Sequence, residues 1–167
     1  SETKLKCIEK IPTHAKWLRI QCIQLLTESE WKKQLMDLVQ TKELTEEKAI
    51  EYFALENFEE KRPGLAWHWL RKGTQSPIQD SAEVITHIGT TLLNGQSVGR
   101  SFTLQAKKGQ PDQWAPAVQW VLKYLADGDS VEIIAKSDFA FGTQGSAALG
   151  IPGQTPLIFH LGVRSIQ

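Results

Sequence analysis

Asp138-Phe139-Ala140-Phe141-Gly142 leads into a loop of small residues ending at Gly150, and Ile151-Pro152-Gly153-Gln154-Thr155-Pro156-Leu157-Ile158-Phe159 leaves it. Two aromatics, Phe139 and Phe141, enter a loop that holds Gly142, Gly145 and Gly150. An Ile-Pro-Gly turn then runs into an apolar strand from Leu157 to Val163. This pattern predicts a flexible flap hinged between two strands, with aromatic and branched side chains at its base. Such a flap walls an apolar pocket. It does not cradle a phosphate, because the loop has no Lys and no Gly-Lys-Ser/Thr follows it.

Upstream of this stretch the periodicity changes once. From Thr13, Trp17, Leu18, Cys22, Leu25 and Leu26 recur at helical steps. Thr27-Glu28-Ser29-Glu30 has the form of a capping box, so a second helix is expected to carry Trp31, Leu35, Leu38 and Val39 inward. Thr45 with Glu46 and Glu47 marks a third start, since acids in a first turn suit the helix dipole. Its stripe would be Ala49, Ile50, Phe53 and Ala54, reaching towards Phe58, with Glu59 to Gly64 closing the helical region. These helices make either a small bundle or a dimerising arm.

After Gly64 the period becomes two. Leu65, Trp67 and Trp69 alternate with Ala66, His68 and Leu70, which reads as a strand. A second strand is expected from Val84 to Leu93, turned by Asn94-Gly95, and a short third from Ser101 to Gln105. One helix over about residues 113–125 would bury Trp114, Val118, Leu122 and Leu125. A strand from Val131 to Ala135 precedes the flap. Antiparallel strands with one short helix define an α+β class: a bent sheet wrapped on a helix, preceded by an all-α region. The expected division is a helical region, 1–63, and a sheet domain, 64–167.

Bulk properties narrow the function. The 167 residues carry 19 basic and 19 acidic side chains, so no electrostatic footprint for nucleic acid is visible. No apolar run approaches the ~20 residues that span a bilayer, and the N-terminus does not read as a signal peptide. Cys7 and Cys22 define neither a disulfide framework nor a metal site, and His14, His68 and His160 have no metal-ligand spacing. No cofactor motif and no Ser-His-Asp or Cys-His constellation stands out.

From Gly64 to Gln167 the chain resembles the FKBP-type peptidyl-prolyl isomerases. The carriers are Gly64-Leu65 opening a strand that ends in Lys72-Gly73, a strand leading to Leu92-Leu93-Asn94-Gly95, the single helix before Gly128, and the flap. The resemblance implies an FKBP-like fold and cis–trans isomerisation of proline-containing, partly unfolded client polypeptides, with chaperone activity. It also implies a helical region that recruits clients or forms a homodimer; in that case a cell-envelope location fits.

Carried over by position, the resemblance makes Phe141, Ile151 and Phe159 the catalytic set, with the backbone N–H of Ile151 meeting the substrate. The pocket lining would be Val98, Phe102, Trp114, Ala115 and Val118, with either His87 or Ile88 taking the inward position on its strand. Several positions depart from the family pattern. Phe141 replaces the usual flap Tyr and lacks its hydroxyl, Val118 stands where a Trp floors the pocket, and Gly99 replaces an Asp. These departures leave a second reading beside the isomerase, a weakly active or inactive peptide-binding module of the same fold.

Overall fold

The computed structural model describes residues 27–42, 44–54, 58–73, 78–79, 82–108 and 115–165. The helix expected from Thr13 lies outside them. Two helices come first, α1 (Glu28–Gln40) and α2 (Glu46–Phe53). Thr27 begins α1 with both arms of a capping box: Thr27 Oγ1 accepts the Glu30 N–H, and the Glu30 carboxylate accepts the Thr27 N–H. Trp31, Leu35, Met36 and Val39 are buried, and Leu38 is only half-buried. In α2 the Thr45 hydroxyl accepts the Lys48 N–H, and Ala49 and Ile50 face the interior.

α2 stops at Phe53, with Ala54 as its C-cap, and does not reach Phe58. Glu59–Arg62 is a strand, β1, so the end of the first region is drawn into the sheet. The sequence hides this because a four-residue charged strand has no apolar alternation to reveal it. The remaining elements are β2 (Leu65–Arg71), β3 (Glu83–Leu92), β4 (Phe102–Lys107), α3 (Pro116–Leu122), β5 (Ser130–Ala135) and β6 (Leu157–Ser165). α3 is shorter than expected; Pro116 stands at its start, where a missing N–H costs nothing. Its C-cap is Lys123.

Among the described residues six strands pair antiparallel in the order β1-β2-β5-β6-β3-β4, with helices ahead of them. Directly paired residues of antiparallel strands share a face. Trp67, Ile133, Phe159 and Thr90 therefore form one row, and Leu161, Ile88 and Phe102 lie in the next. α3 covers this face. Trp67 meets the Trp120 ring edge-on at 5.2 Å and the Tyr124 ring at a tilt at 5.6 Å, while Val118, Val121 and Leu122 are buried.

The opposite face is also covered. Ala66, Ile134 and Ile158 are buried there. Phe58 meets the His68 ring edge-on at 4.4 Å, and Phe53 meets Phe58 at 6.1 Å, which brings the end of α2 over β2. The start of α2 is bonded to Ser137, just beyond β5. Between these two anchors α2 runs along the outer face, and α1 joins it through a Trp31–Tyr52 edge contact at 6.5 Å. Among the described residues the arrangement is thus a sheet between one short helix and a helical pair.

Candidate active site

The flap rises from the end of β5 and returns at the start of β6. Its first turn is a 3-10 helix, Ser137–Phe139, and a second, Ala147–Leu149, sits near its tip. The Ser137 carbonyl accepts the N–H groups of Ala140 and Gly142, which flank Phe141. The two limbs then cross backbone against backbone. A Cβ on Gly145 would lie 2.2 Å from the Ile151 carbonyl oxygen, and one on Gly153 would lie 1.9 Å from that of Thr143. Gly145 also has φ +68°, which L side chains avoid. At these two positions glycine serves close approach of backbone.

The proposed catalytic set is distributed along this frame. Phe159 is 3% exposed on β6, between Ile133 and Thr90. Val98 donates its N–H to the Thr90 carbonyl at 2.8 Å, so the segment after β3 lies beside the Phe159 row. Next to it, the space where a Gly99 Cβ would stand is 3.1 Å from Leu149 Cδ2. The flap tip therefore closes onto the 98–99 segment. Phe141 is half-buried and packs on the core, and Ile151 is buried.

One element of the sequence reading changes. The Ile151 N–H donates to the Ser146 carbonyl at 2.9 Å, and Ser146 N–H returns to the Ile151 carbonyl at 2.9 Å. That donor is engaged inside the flap rather than presented to a substrate.

Ile88, on the helix side of β3, is buried, whereas His87 is exposed on the other face beside Thr103 Oγ1 at 3.3 Å. The two-residue period of the strand cannot place both inward, so His87 leaves the set of lining residues. Val118 is buried under the sheet as part of α3. Ala115 is half-buried at the N-cap of α3. Phe102 points to the correct face but is 52% exposed, because β4 is an edge strand and leaves it at the rim. Trp114 lies outside the described residues. Leu149 was not singled out from sequence; the signal was present, since it is the one large apolar side chain between Gly142 and Gly150.

On the outer face Glu132 lies 3.5 Å from His68 Nδ1 and 3.3 Å from His160 Nδ1. The buried Asp129 carboxylate accepts the N–H groups of Gly73 and Ala126 and fixes the turn before β5. Among the described residues no group of three or more His, Cys, Asp or Glu is placed to hold a metal ion, and no helix is long and apolar enough to cross a membrane.

The fold and the flap are FKBP-like, with a helical part ahead of the sheet. The FKBP-type peptidyl-prolyl cis-trans isomerase FkpA of Buchnera aphidicola is 31% identical over 111 residues, covering 62% of this chain and 41% of that protein. The crystal structure of FkpA from Escherichia coli matches with a TM-score of 0.61 at 18% identity, over 80% of this chain and 62% of that one. A peptidyl-prolyl cis-trans isomerase from Pseudomonas syringae pv. tomato matches with a TM-score of 0.58 at 18% identity, covering 81% and 94%. The chain thus spans about two fifths of the curated relative and under two thirds of E. coli FkpA. No family model matches it.

Proposed function

We propose that the chain is a peptidyl-prolyl cis–trans isomerase acting on proline-containing, partly unfolded polypeptides. The observation that supports this reading is the meeting of the flap tip with the segment beside Phe159: Leu149 on Gly99, with Val98 bonded to Thr90 and Thr90 paired with Phe159. Amide rotation has a barrier of about 18–20 kcal/mol because resonance keeps the bond planar. In the twisted amide that resonance is lost and the carbonyl is less polar. An apolar, water-poor site therefore favours the twisted form over the planar one, and no nucleophile or cofactor is required. In this reading Phe141, Ile151 and Phe159 hold the proline ring with Ile88, Val98 and Val118, and Phe102 and Leu149 form the rim.

The test is a protease-coupled assay on a short Xaa-Pro peptide. Uncatalysed exchange takes tens of seconds or more, so acceleration at micromolar protein is directly visible. A second reading, a peptide-binding or chaperone module without catalysis, draws on two observations. The Ile151 N–H is already bonded within the flap, and Leu149 stands against Gly99 at the mouth. An unchanged isomerisation rate together with suppressed aggregation of an unfolded client would select it.

We further propose that residues 64–167 form the working domain and residues 1–63 its helical partner, with β1 bridging the two. Burial of Trp31, Leu35, Met36, Val39, Ala49 and Ile50 within one chain supports docking of the helices on their own sheet. Self-association through this region is the competing role; light scattering on the whole chain separates them, a monomer mass favouring docking and a dimer mass favouring self-association.

A further inference from the structure

The flap root is held from outside the sheet domain. Ser137, buried to 2% exposure, donates its backbone N–H to Glu46 Oε2 at 2.5 Å and its hydroxyl to Glu46 Oε1 at 2.7 Å. Glu46 is the first residue of α2, 91 positions away. Its neighbour Glu47 pairs with Lys136 at 3.0 Å, and Lys136 also reaches Asp138 at 3.1 Å. The Lys136 stem packs over Gly64, whose missing Cβ would stand 2.6 Å from the lysine Cδ. The same residue that Glu46 grips, Ser137, presents its carbonyl to the N–H groups of Ala140 and Gly142, the two neighbours of Phe141.

We infer that Glu46 is a positioning residue for the flap: through Ser137 it sets where Phe141 stands relative to Phe159. A bidentate carboxylate on an N–H and a hydroxyl fixes both the place and the rotation of Ser137, because two bonds to one rigid group leave no free torsion. The geometry passes along the Ser137 carbonyl to the peptide units on either side of Phe141. A side chain that must meet a transition state is sensitive to displacements of about 1 Å. The helical pair, which lies on the face of the sheet opposite Phe159, thereby becomes part of the machinery of the site. This inference rests on the isomerase reading for its kinetic consequence but not for its structural one.

The test compares the wild type with Glu46→Ala and Glu46→Gln in the whole chain, using an Xaa-Pro peptide and backbone amide exchange. In Glu46→Ala, kcat is expected to fall on the order of tenfold, with KM changed by less than about twofold, since the displaced group acts on the transition state. Exchange at Ser137, Ala140 and Gly142 is expected to quicken by about tenfold while the amides of β5 and β6 keep their rates, as local opening requires. Glu46→Gln, which keeps one acceptor oxygen, should fall between. Unchanged kcat with unchanged exchange at Gly142 would overturn the inference. Equal quickening throughout β5 and β6 would also overturn it, by making Glu46 a general stabiliser. If the wild type does not accelerate isomerisation, the proposed activity fails, and the exchange pattern alone decides the role of Glu46.

Discussion

Phe141 and Phe159 make different demands on the fold, and substitution separates them. Phe159 is buried between two neighbouring strands, so Phe159→Ala is expected to destabilise by about 3–5 kcal/mol, read from urea denaturation. Phe141 is half-buried, so Phe141→Ala is expected to cost less than about 2 kcal/mol. Its effect should appear in catalysis, as a loss of at least about tenfold in kcat/KM; full retention would show that the pocket has been misplaced. Gly153→Ala drives a methyl into the Thr143 carbonyl and is expected to cost about 1–3 kcal/mol, measured the same way. Single residues differed in how legible they were. The position of Phe159 on the closing strand and of Phe141 in the flap followed from order and spacing alone. The choice between His87 and Ile88 could not, because a one-residue ambiguity in a strand exchanges its two faces and only the pairing of β3 with β6 removes it.

Helix starts were the most readable elements, because capping chemistry is local. Thr27 and Glu30 bond each other across three residues, and the Glu30 carboxyl is held below the usual carboxylate range by the Thr27 N–H first and the Thr27 hydroxyl second. Thr27→Ala is expected to lower stability by about 1 kcal/mol, seen as an earlier helix melt by circular dichroism. Helix ends and charged strands were less readable. α2 stops at Phe53 and leaves Phe58 to pack on His68, a contact that no helical periodicity foretells. The flap was visible as a loop rich in glycine, yet its crossing limbs were not. Glycine for freedom and glycine for close approach look identical in a sequence, and only the partner backbone tells them apart.

At the scale of the molecule, the Glu47–Lys136 pair joins the helical pair to the sheet, and its charges set a pH window. The hydrogen bond from Lys136 holds the Glu47 carboxyl below its usual value, and the bonds to Glu47 and then Asp138 raise the Lys136 ammonium above its own. A lowered carboxyl gives stability that is present above the ordinary glutamate value, about 4.3, and is lost as pH falls through the lowered one. A raised ammonium gives stability that is present below the ordinary lysine value, about 10.4, and is lost as pH rises through the raised one. The midpoint difference between wild type and Glu47→Gln should therefore be greatest near neutrality and shrink progressively as pH falls below the ordinary glutamate value, about 4.3. It should also shrink in about 1 M salt, since the pair is partly exposed. The sequence alone determined the α+β class and the helical region ahead of the sheet, because periodicity and capping are properties of neighbouring residues. Only the tertiary structure decided that α1 and α2 lie on the outer face of the sheet, that Ile151 spends its N–H inside the flap, and that Glu46 holds Ser137. Those contacts join residues far apart in the chain, and their geometry exists only after the strands have paired.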